Sequence, residues 1–505
     1  MSVSEEKILE ECLISTGSTW TTPEILSKYL KDKEGHVDDV MNHVGKGKII
    51  CFRNYITLKK YAEWENEIAK NLMRIQFVKP SKKVPEKKIK EILKRFEVEE
   101  NEGRKLHFNQ INAVCMVVNH NVSVLTGGPG TGKTTVLSAI TYVLRFLHEE
   151  IKISFTAPTG KAARRVAEST GEMACTLHKQ LGISFSCTKP RKFVLDALFI
   201  DEASMNDTEL SAKLFSAVLD GRKVVFVGDT DQLLSVGPGA VLRDMIESSV
   251  VPVTMLTHTF RQDNDSVYYK NICNIRNGIP EFVNGEDFHT FLLPEGDKEG
   301  DATKLLCKEI HKYAEKYGKE NVVALIPYRK NGMCSNKVNN LLQKILNPEK
   351  CSFSYTNKTD KNHILFKKGD FVMQLENRKE CANGDVGQIS EVSKEGVTVE
   401  FLDTAVHYSV EDMSQLALAY AMTIHKCQGS EYKAVVMVLL NSHKKMLNRN
   451  LLYTGLTRGK RECSVIYQRE ALIEALKTKA EATRITMLVL KLREIRAQYK
   501  MVYGL

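Results

Sequence analysis

From about residue 103 onward the hydrophobic and polar positions repeat one pattern: a short apolar run, a polar or Gly-rich turn, then a helical stretch. The apolar runs are VSVLTGG, ISFTAP, DALFIDE and VVFVGD, followed further along by NVVALIP, AVVMVLL and CSVIYQ. Continuous apolar runs are typical of parallel strands, because helices cover both faces of such a sheet. The pattern predicts an α/β fold with two tandem parallel-sheet lobes, the first at 103–255 and the second at 256–369 and 414–505.

Three segments depart from this pattern. Residues 370–413 are short alternating strands between Gly or Asp turns, which predicts a small β-barrel inserted in the second lobe. Residues 1–76 show two helical stretches and then a basic hairpin, GKGKIICFRNYITL, and so resemble a winged-helix module. Contact with nucleic acid and plain packing are both open for this module. Residues 77–102 are predicted to be a basic linker that leads into a helix. A solvated charged face is the simpler explanation of the many lysines there.

Composition narrows the class of protein. The chain has 505 residues, 43% of them hydrophobic and 27% charged, which is ordinary for globular proteins and excludes disorder as the main state. No apolar run reaches the roughly 18–20 residues that span a bilayer, and no secretory core follows the N-terminus. The 12 cysteines form no CxxC pair, so neither a zinc ribbon nor a disulfide framework is predicted. We therefore expect a soluble intracellular protein without a membrane partner, whose net charge of +10 permits a polyanionic partner without requiring one.

A phosphate-binding loop stands at GGPGTGKTT, 127–135, between a predicted strand and a predicted helix. This is the GxxxxGK[ST] pattern, in which backbone N–H groups surround phosphate oxygens at a helix N-terminus. Lys133 is expected to reach the β- and γ-phosphates of ATP, and the Thr134 hydroxyl to bind Mg²⁺. The predicted nucleotide contacts in the loop are Gly128, Gly130, Thr131, Gly132, Lys133, Thr134 and Thr135.

Two further strand ends carry matching chemistry. Asp201 and Glu202 end LFIDE, where one carboxylate can join the Mg²⁺ shell and the other can polarise a water molecule. Gln232 follows VVFVGD, where a neutral amide can sense the γ-phosphate. The second lobe has no complete P-loop, so we expect one ATP site between two lobes. Arg261 in LTHTFRQ and Arg458 in YTGLTRGK are candidate cations for the γ-phosphate, with surface ion pairing as the alternative.

Together these segments resemble the RecD-like branch of the superfamily 1 helicases, the 5′→3′ group, in order over about 400 residues. The resemblance implies RecA-like lobes and assigns Gln110, in LHFNQINAV, to reading adenine. It implies that Glu202 is the catalytic base, that Gln232 couples γ-phosphate to lobe closure, and that both arginines contact the γ-phosphate. In TIHKCQGSEY it assigns Gly429 and Glu431 to the ribose.

The resemblance also implies contacts to DNA from three segments, TAPTGKAARR, CTLHKQLG and TIHKCQG. Hydroxyls and a single lysine there would hold phosphates without reading bases. Ordinary packing is the alternative for the two histidines, and metal binding is not expected of them. The predicted DNA contacts are Pro158, Thr159, Lys161, Thr176, His178, Thr423 and His425.

The function that follows is an ATP- and Mg²⁺-dependent 5′→3′ helicase that moves on single-stranded DNA and unwinds forked or tailed duplexes. A nucleic-acid-stimulated ATPase subunit, acting as a recruitment or loading switch in a replication or repair assembly, is the second hypothesis. A small-molecule P-loop kinase explains neither the second lobe nor its arginines, while RNA as the track stays open. Residues 184–194, the candidate strand-separating pin, form a short segment, so translocation is better supported than efficient unwinding.

Overall fold

The computed structural model describes residues 4–31, 36–183, 187–260, 266–296, 299–328, 332–356, 363–378, 380–401, 404–477 and 484–503. The helices are α1 Glu5–Thr16, α2 Pro23–Leu30, α3 Val37–Asn42, α4 Lys59–Phe77, α5 Glu86–Glu99, α6 Phe108–Asn119, α7 Lys133–Leu147, α8 Gly160–Thr170, α9 Leu177–Leu181, α10 Thr208–Ala217, α11 Val241–Ser248, α12 Val267–Asn277, α13 Gly300–Tyr317, α14 Ser335–Leu346, α15 Arg449–Leu456, α16 Arg469–Lys477 and α17 Leu488–Tyr503. Short 3₁₀ turns lie at Ala203–Met205, Lys319–Asn321, Asp412–Gln415, Ile424–Cys427 and Asn441–Met446.

The strands follow the same chain order. They are β1 Ile49–Phe52, β2 Tyr55–Leu58, β3 Val122–Gly127, β4 Ile153–Ala157, β5 Ala174–Thr176, β6 Ala197–Ile200, β7 Lys223–Gly228, β8 Val253–Leu256, β9 Phe288–Leu293, β10 Val322–Leu325, β11 Ser352–Thr356, β12 His363–Lys367, β13 Phe371–Gln374, β14 Val386–Val392, β15 Gly396–Phe401, β16 Thr404–Ser409, β17 Leu416–Leu418, β18 Ala421–Met422, β19 Tyr432–Leu439 and β20 Gly459–Gln468.

The chain divides into two compact units. Unit 1 comprises Met1–Pro158, Ala163–Phe260 and Ala480–Leu505. Unit 2 comprises Thr159–Ala162 and Arg261–Lys479.

Unit 1 is built on a parallel sheet whose strand order, within the described residues, is β5-β4-β6-β7-β3-β8. The central strand β3 is buried throughout and supplies Val124 to one core and Leu125 to the other. Helices α4, α10, α11 and α17 contribute to the first core, and α5, α6 and α7 to the second. Apolar strands covered on both faces are what the sequence pattern predicts for this lobe.

The C-terminal segment, 484–503, corrects one predicted boundary. The second lobe was expected to run to residue 505, but this segment belongs to unit 1. Leu488 and Leu492 of α17 are fully buried with α4 and α11 in the first core. Burial of these side chains, rather than their position along the chain, decides where the helix packs.

The predicted module at 1–76 and the predicted linker at 77–102 both continue into unit 1. Helices α1–α3 and the antiparallel hairpin β1–β2 surround a small apolar cluster of their own. Helix α4, however, places Ile68 and Leu72 in the core beneath the parallel sheet. Helix α5 buries Ile89 and Phe96 against the opposite face and keeps its lysines exposed. The assignment of 1–76 as a winged-helix-like module stays a prediction.

Unit 2 has its own parallel sheet, with the order β18-β10-β19-β20-β9 among the described residues. An antiparallel sheet of order β16-β15-β14-β13-β17 follows from Phe371 to Leu418 and shares a continuous core with α13 and α14. Its order has β16 and β17 at the edges, and closure of the insert at 370–413 into a barrel stays a prediction. The α/β class with two parallel sheets is confirmed.

None of the helices in the described ranges is both long and apolar enough to cross a membrane.

Candidate active site

The P-loop joins the end of β3 to the start of α7. Gly130 and Gly132 have φ of 73° and 77°, a conformation that glycine adopts without steric cost. The Lys133 ammonium donates to the carbonyls of Gly127 and Gly128 at 2.6 and 2.9 Å, so it lies across the loop. With the N-terminus of the 15-residue helix α7 behind it, this loop is suited to bind phosphate groups.

The three threonines of the loop differ in role. Thr131 is buried and donates its hydroxyl to Gly128 O at 2.9 Å, which braces the loop from within. Thr134 is exposed and Thr135 is half-buried, both in the first turn of α7. Thr134 therefore has the accessible hydroxyl that a metal ligand requires.

Gln110 packs against this loop. Its side chain is buried, and its Oε1 accepts a hydrogen bond from His107 N at 2.9 Å, which fixes the start of α6. A Cβ added to Gly132 would lie only 2.5 Å from Gln110 Nε2, so the amide reaches the P-loop. The structure thus brings Gln110 to the loop, and its assignment to adenine stays a prediction.

A group of rings beside the P-loop is a feature that the sequence reasoning missed. The rings of His107 and His258 stack 4.8 Å apart, and Phe260 meets His258 edge-on at 4.6 Å. Phe260 is 52% exposed, and its N–H donates to Gly130 O at 2.7 Å. An exposed ring held at a phosphate-binding loop can stack on a flat heterocycle. Its signal in the sequence was the aromatic residues in LHFNQ and LTHTFRQ, beside the two predicted site residues.

The acidic pair lies directly after β6. Asp201 and Glu202 are both buried, and Glu202 has a left-handed φ of 49°, a strained conformation for this residue type. Burial and the neighbouring Glu202 raise the pKa of Asp201, while the charges of Arg165 and Lys133 oppose that rise. The structure therefore places Asp201 within the electrostatic reach of the P-loop lysine.

Gln232 lies on the loop after β7. Its N–H donates to Asp229 O at 3.3 Å, and its side-chain amide lies 3.5 Å from the Asp229 carboxylate. A Cβ added to Gly228 would lie 3.3 Å from Ala203 N, so the end of β7 touches the turn that follows the acidic pair. Because β7 pairs with both β3 and β6, the three loops emerge at one edge of the sheet.

Arg458 follows α15 in unit 2 and is 3% exposed. Its Nε donates to Thr454 O at 3.1 Å, and its Nη1 to Ser430 O at 3.3 Å. The guanidinium is therefore held in a fixed orientation by its own unit. Arg261, the other predicted arginine, lies outside the described residues.

The structure gives the two predicted ribose contacts local partners in unit 2. Gly429 has φ of 72°, and a Cβ there would lie 3.0 Å from Ala162 Cβ and 3.2 Å from Thr159 Oγ1. Glu431 pairs with Lys460 at 2.7 Å. Glycine is thus favoured at position 429 because φ is positive there and because the neighbouring side chains leave little room for a Cβ. Contact of Gly429 and Glu431 with the ribose stays a prediction.

The predicted DNA contacts begin at the end of β4. Pro158 follows that strand, and Thr159 Oγ1 accepts a hydrogen bond from Ala162 N at 3.2 Å, at the start of α8. The Lys161 ammonium lies 5.1 Å from the centre of the Tyr432 ring, a cation–π contact. The lysine is therefore oriented by an aromatic face in unit 2.

The remaining predicted DNA contacts lie at helix starts. Thr176 Oγ1 accepts from Lys179 N at 3.3 Å and caps α9, which contains His178. Thr423 precedes the 3₁₀ turn that contains His425, and burial lowers the pKa of that histidine. Over the part of the chain that the structure describes, no group of three or more His, Cys, Asp or Glu could hold a metal ion.

A phosphate-binding loop and a buried acidic pair at one edge of a parallel sheet define a P-loop nucleoside triphosphatase. Two family models match the chain: one described as an AAA domain over residues 105–290, and one described as a UvrD-like helicase C-terminal domain over residues 418–466.

Named relatives narrow the class. The chain is 32% identical over 357 residues to the ATP-dependent RecD2 DNA helicase of Deinococcus radiodurans. The aligned region covers 70% of this chain and 47% of that protein. It is 25% identical over 451 residues to the RecBCD enzyme subunit RecD of Buchnera aphidicola, covering 74% of this chain and 75% of that subunit. The chain is thus similar to helicases of the RecD type, and it spans about half the length of the Deinococcus protein.

Solved structures to which the chain is similar include Pif1 helicase from Bacteroides in complex with ADP-AlF3 and ssDNA. That match has a TM-score of 0.47 and 18% identity, and it covers 79% of this chain and 99% of the other.

Proposed function

We propose that the chain is an ATP-driven motor that moves 5′→3′ along single-stranded DNA and unwinds tailed or forked duplexes. The observation that carries the proposal is the meeting of Lys133, Asp201, Glu202 and Gln232 at one edge of the sheet in unit 1. The relationship to the Deinococcus helicase supports DNA as the track.

The residues present fit an Mg²⁺ ion bound together with ATP. Asp201 is a buried carboxylate beside a second carboxylate, and Thr134 offers an accessible hydroxyl. Oxygen donors of this kind are what Mg²⁺ prefers, and the ion would neutralise charge on the phosphates. Lys133 would bind the β- and γ-phosphates, and Glu202 would accept a proton from the attacking water.

The arginines complete the proposed chemistry. Arg458 and Arg261 would stabilise the charge that spreads over the γ-phosphoryl group during transfer. The guanidinium of Arg458 is planar and can donate two parallel hydrogen bonds to phosphate oxygens. Its hydrogen bonds to the carbonyls of Thr454 and Ser430 fix its orientation.

Replacing Lys133 by alanine tests the site. We expect Lys133→Ala to lower DNA-stimulated ATP hydrolysis by roughly a hundredfold or more, since the main cation on the phosphates is lost. Steady-state phosphate release with and without single-stranded DNA measures the loss. Lys152→Ala is the matched control, because Lys152 is an exposed lysine directly before β4. Turnover retained by the purified Lys133→Ala variant would show that ATP is hydrolysed elsewhere.

The direction of movement is tested with matched duplexes. We expect strand displacement from duplexes with a 5′ single-stranded tail and at least tenfold slower displacement from those with a 3′ tail, in DNA and RNA versions. Preference for the 3′ tail would overturn the polarity, and preference for RNA would overturn the track.

A second function is favoured by one observation. The chain covers 75% of a protein named as the RecD subunit of the RecBCD enzyme, which works within an assembly. ATP hydrolysis stimulated by DNA, without displacement on any tailed substrate, would favour such a subunit role.

A further inference from the structure

The turn at 235–239, which follows Gln232, is held by an arginine from the far end of the chain. Arg484 donates from Nη2 to Ser235 O at 2.6 Å and from Nη1 to Ser235 Oγ at 3.0 Å. The same Nη1 lies 3.2 Å from Gly237 O and 2.7 Å from Gly239 O. One guanidinium thus lies within hydrogen-bond distance of three backbone carbonyls and a hydroxyl within five residues, and it shares Gly237 O and Gly239 O with the Ser235 hydroxyl.

This turn also contacts the loop after the acidic pair. Pro238 O accepts a hydrogen bond from Thr208 N at 3.1 Å. A Cβ added to Gly239, where φ is 117°, would run into the Thr208 hydroxyl, and one added to Gly237 would run into the Asp207 carboxylate. Glycine is required at both positions, since the turn packs directly on the segment that leads from Glu202 into α10.

Arg484 is itself fixed. Its backbone carbonyl accepts from Arg243 Nη1 at 3.3 Å, and the next residue, Ile485, donates its N–H to Ser18 Oγ at 3.0 Å. Burial and the neighbouring Arg243 lower the pKa of Arg484 to about 10, so its guanidinium stays charged at neutral pH. The turn is further tied to the N-terminal module, because Gly239 N donates to Gly17 O at 2.8 Å.

We propose that Arg484 is a positioning residue for ATP hydrolysis: it holds the 235–239 turn, and through it sets Gln232 against the acidic pair. The inference rests on the proposed function only in assigning Gln232 to the γ-phosphate. Within the part of the chain that the structure describes, the hydrogen bonds of the Arg484 guanidinium go to the 235–239 turn and none goes to the P-loop. It acts on the chemical step and not on nucleotide binding.

Replacement of Arg484 by glutamine tests this role. The variant removes the charged donor from Ser235 O and leaves Gly237 O and Gly239 O with only the Ser235 hydroxyl as a donor. We expect Gln232 to lose its fixed position as a result. We expect kcat for ATP to fall roughly ten- to hundredfold, since small misplacements of catalytic groups have effects of that size. We expect KM for ATP and the binding of a fluorescent ADP analogue to stay within about twofold, because the P-loop is untouched.

Two further variants separate positioning from folding. Arg484→Lys keeps the charge without the planar fork, so we expect it to recover part of kcat. Arg493→Gln removes a contact of the same segment to Glu247 O, 2.7 Å away on α11, and we expect full activity from it. Thermal melting of each variant reports folding.

The outcomes decide the proposal. Unchanged kcat in Arg484→Gln overturns it, as does a loss of nucleotide binding equal to the loss of kcat. If Arg484→Gln does not fold, Arg484→Lys decides: reduced kcat at unchanged KM supports the proposal, and wild-type kcat overturns it. Because ATP turnover is the measurement, failure of strand displacement in the wild type would count against the proposed motor function and leave this test intact.

Discussion

At the residue scale, a hydrogen bond of its own backbone holds Phe260 beside the P-loop. The hydrogen bond from Phe260 N to Gly130 O fixes where the ring stands, and the half-exposed ring leaves a free face for a base. His258, two residues earlier, supports the ring edge-on. The ring is therefore held beside the P-loop by a backbone hydrogen bond and by a ring contact.

We expect Phe260→Ala to raise KM for ATP roughly 2- to 10-fold, since aromatic stacking contributes about 0.5–1.5 kcal/mol. Hydrolysis of inorganic tripolyphosphate, which has no base, should not change. Steady-state kinetics with both substrates measure the difference. Phe146→Ala is the control, because that ring is 48% exposed and lies beside Arg95 instead. An equal effect on tripolyphosphate would show that the ring acts on the loop and not on the base.

At the element scale, α4 joins the two ends of the chain through one buried carboxylate. Glu65 accepts hydrogen bonds from Thr19 Oγ1 at 2.6 Å, Trp20 Nε1 at 3.0 Å and Met487 N at 3.1 Å. The Lys491 ammonium lies 3.9 Å from Glu65 and supplies a compensating charge. Every one of these partners donates, so the site is matched to an acceptor with two oxygens.

We expect Glu65→Gln to lower the free energy of unfolding by about 1–3 kcal/mol, because its NH₂ group faces donors and leaves buried groups unpaired. Urea denaturation measures the change. Glu63→Gln on the same helix is the control, since Glu63 is 59% exposed, 3.7 Å from Lys59, and should cost less than about 1 kcal/mol. Equal midpoints for the two variants would contradict a structural role for Glu65.

Elements with a local signature could be predicted from the sequence. The strand before Lys133 and the helix after it, and the strands that end at Asp201 and Asp229, combine apolar runs with marked turns, and they lie where the pattern placed them. The placement of α17 could not be predicted, because an amphipathic helix does not reveal which unit covers its apolar face. The role of Arg484 could not be predicted either, because its partners in the 235–239 turn lie about 250 residues away in sequence.

At the scale of the whole molecule, charge explains little of the specific chemistry. The chain carries 72 Lys and Arg against 62 Asp and Glu. The net positive charge can only raise the rate of association with a polyanion, and this effect weakens as the salt concentration rises. Several basic side chains are committed to internal contacts. Arg484 and Arg458 both donate to backbone carbonyls within their own units.

The return of the C-terminal segment to unit 1 bears on how the protein is made. Thr19 N and Trp20 N both donate to Ile485 O, at 3.0 and 3.1 Å, so residues from the two ends of the chain must meet. On a ribosome, the first unit cannot complete its core until residues 484–503 have left the exit tunnel. A nascent chain halted after unit 2 would keep an open apolar groove where Leu488 and Leu492 belong, and would be a substrate for chaperones and proteases. Only translation products that include residues 484–503 gain a closed first unit.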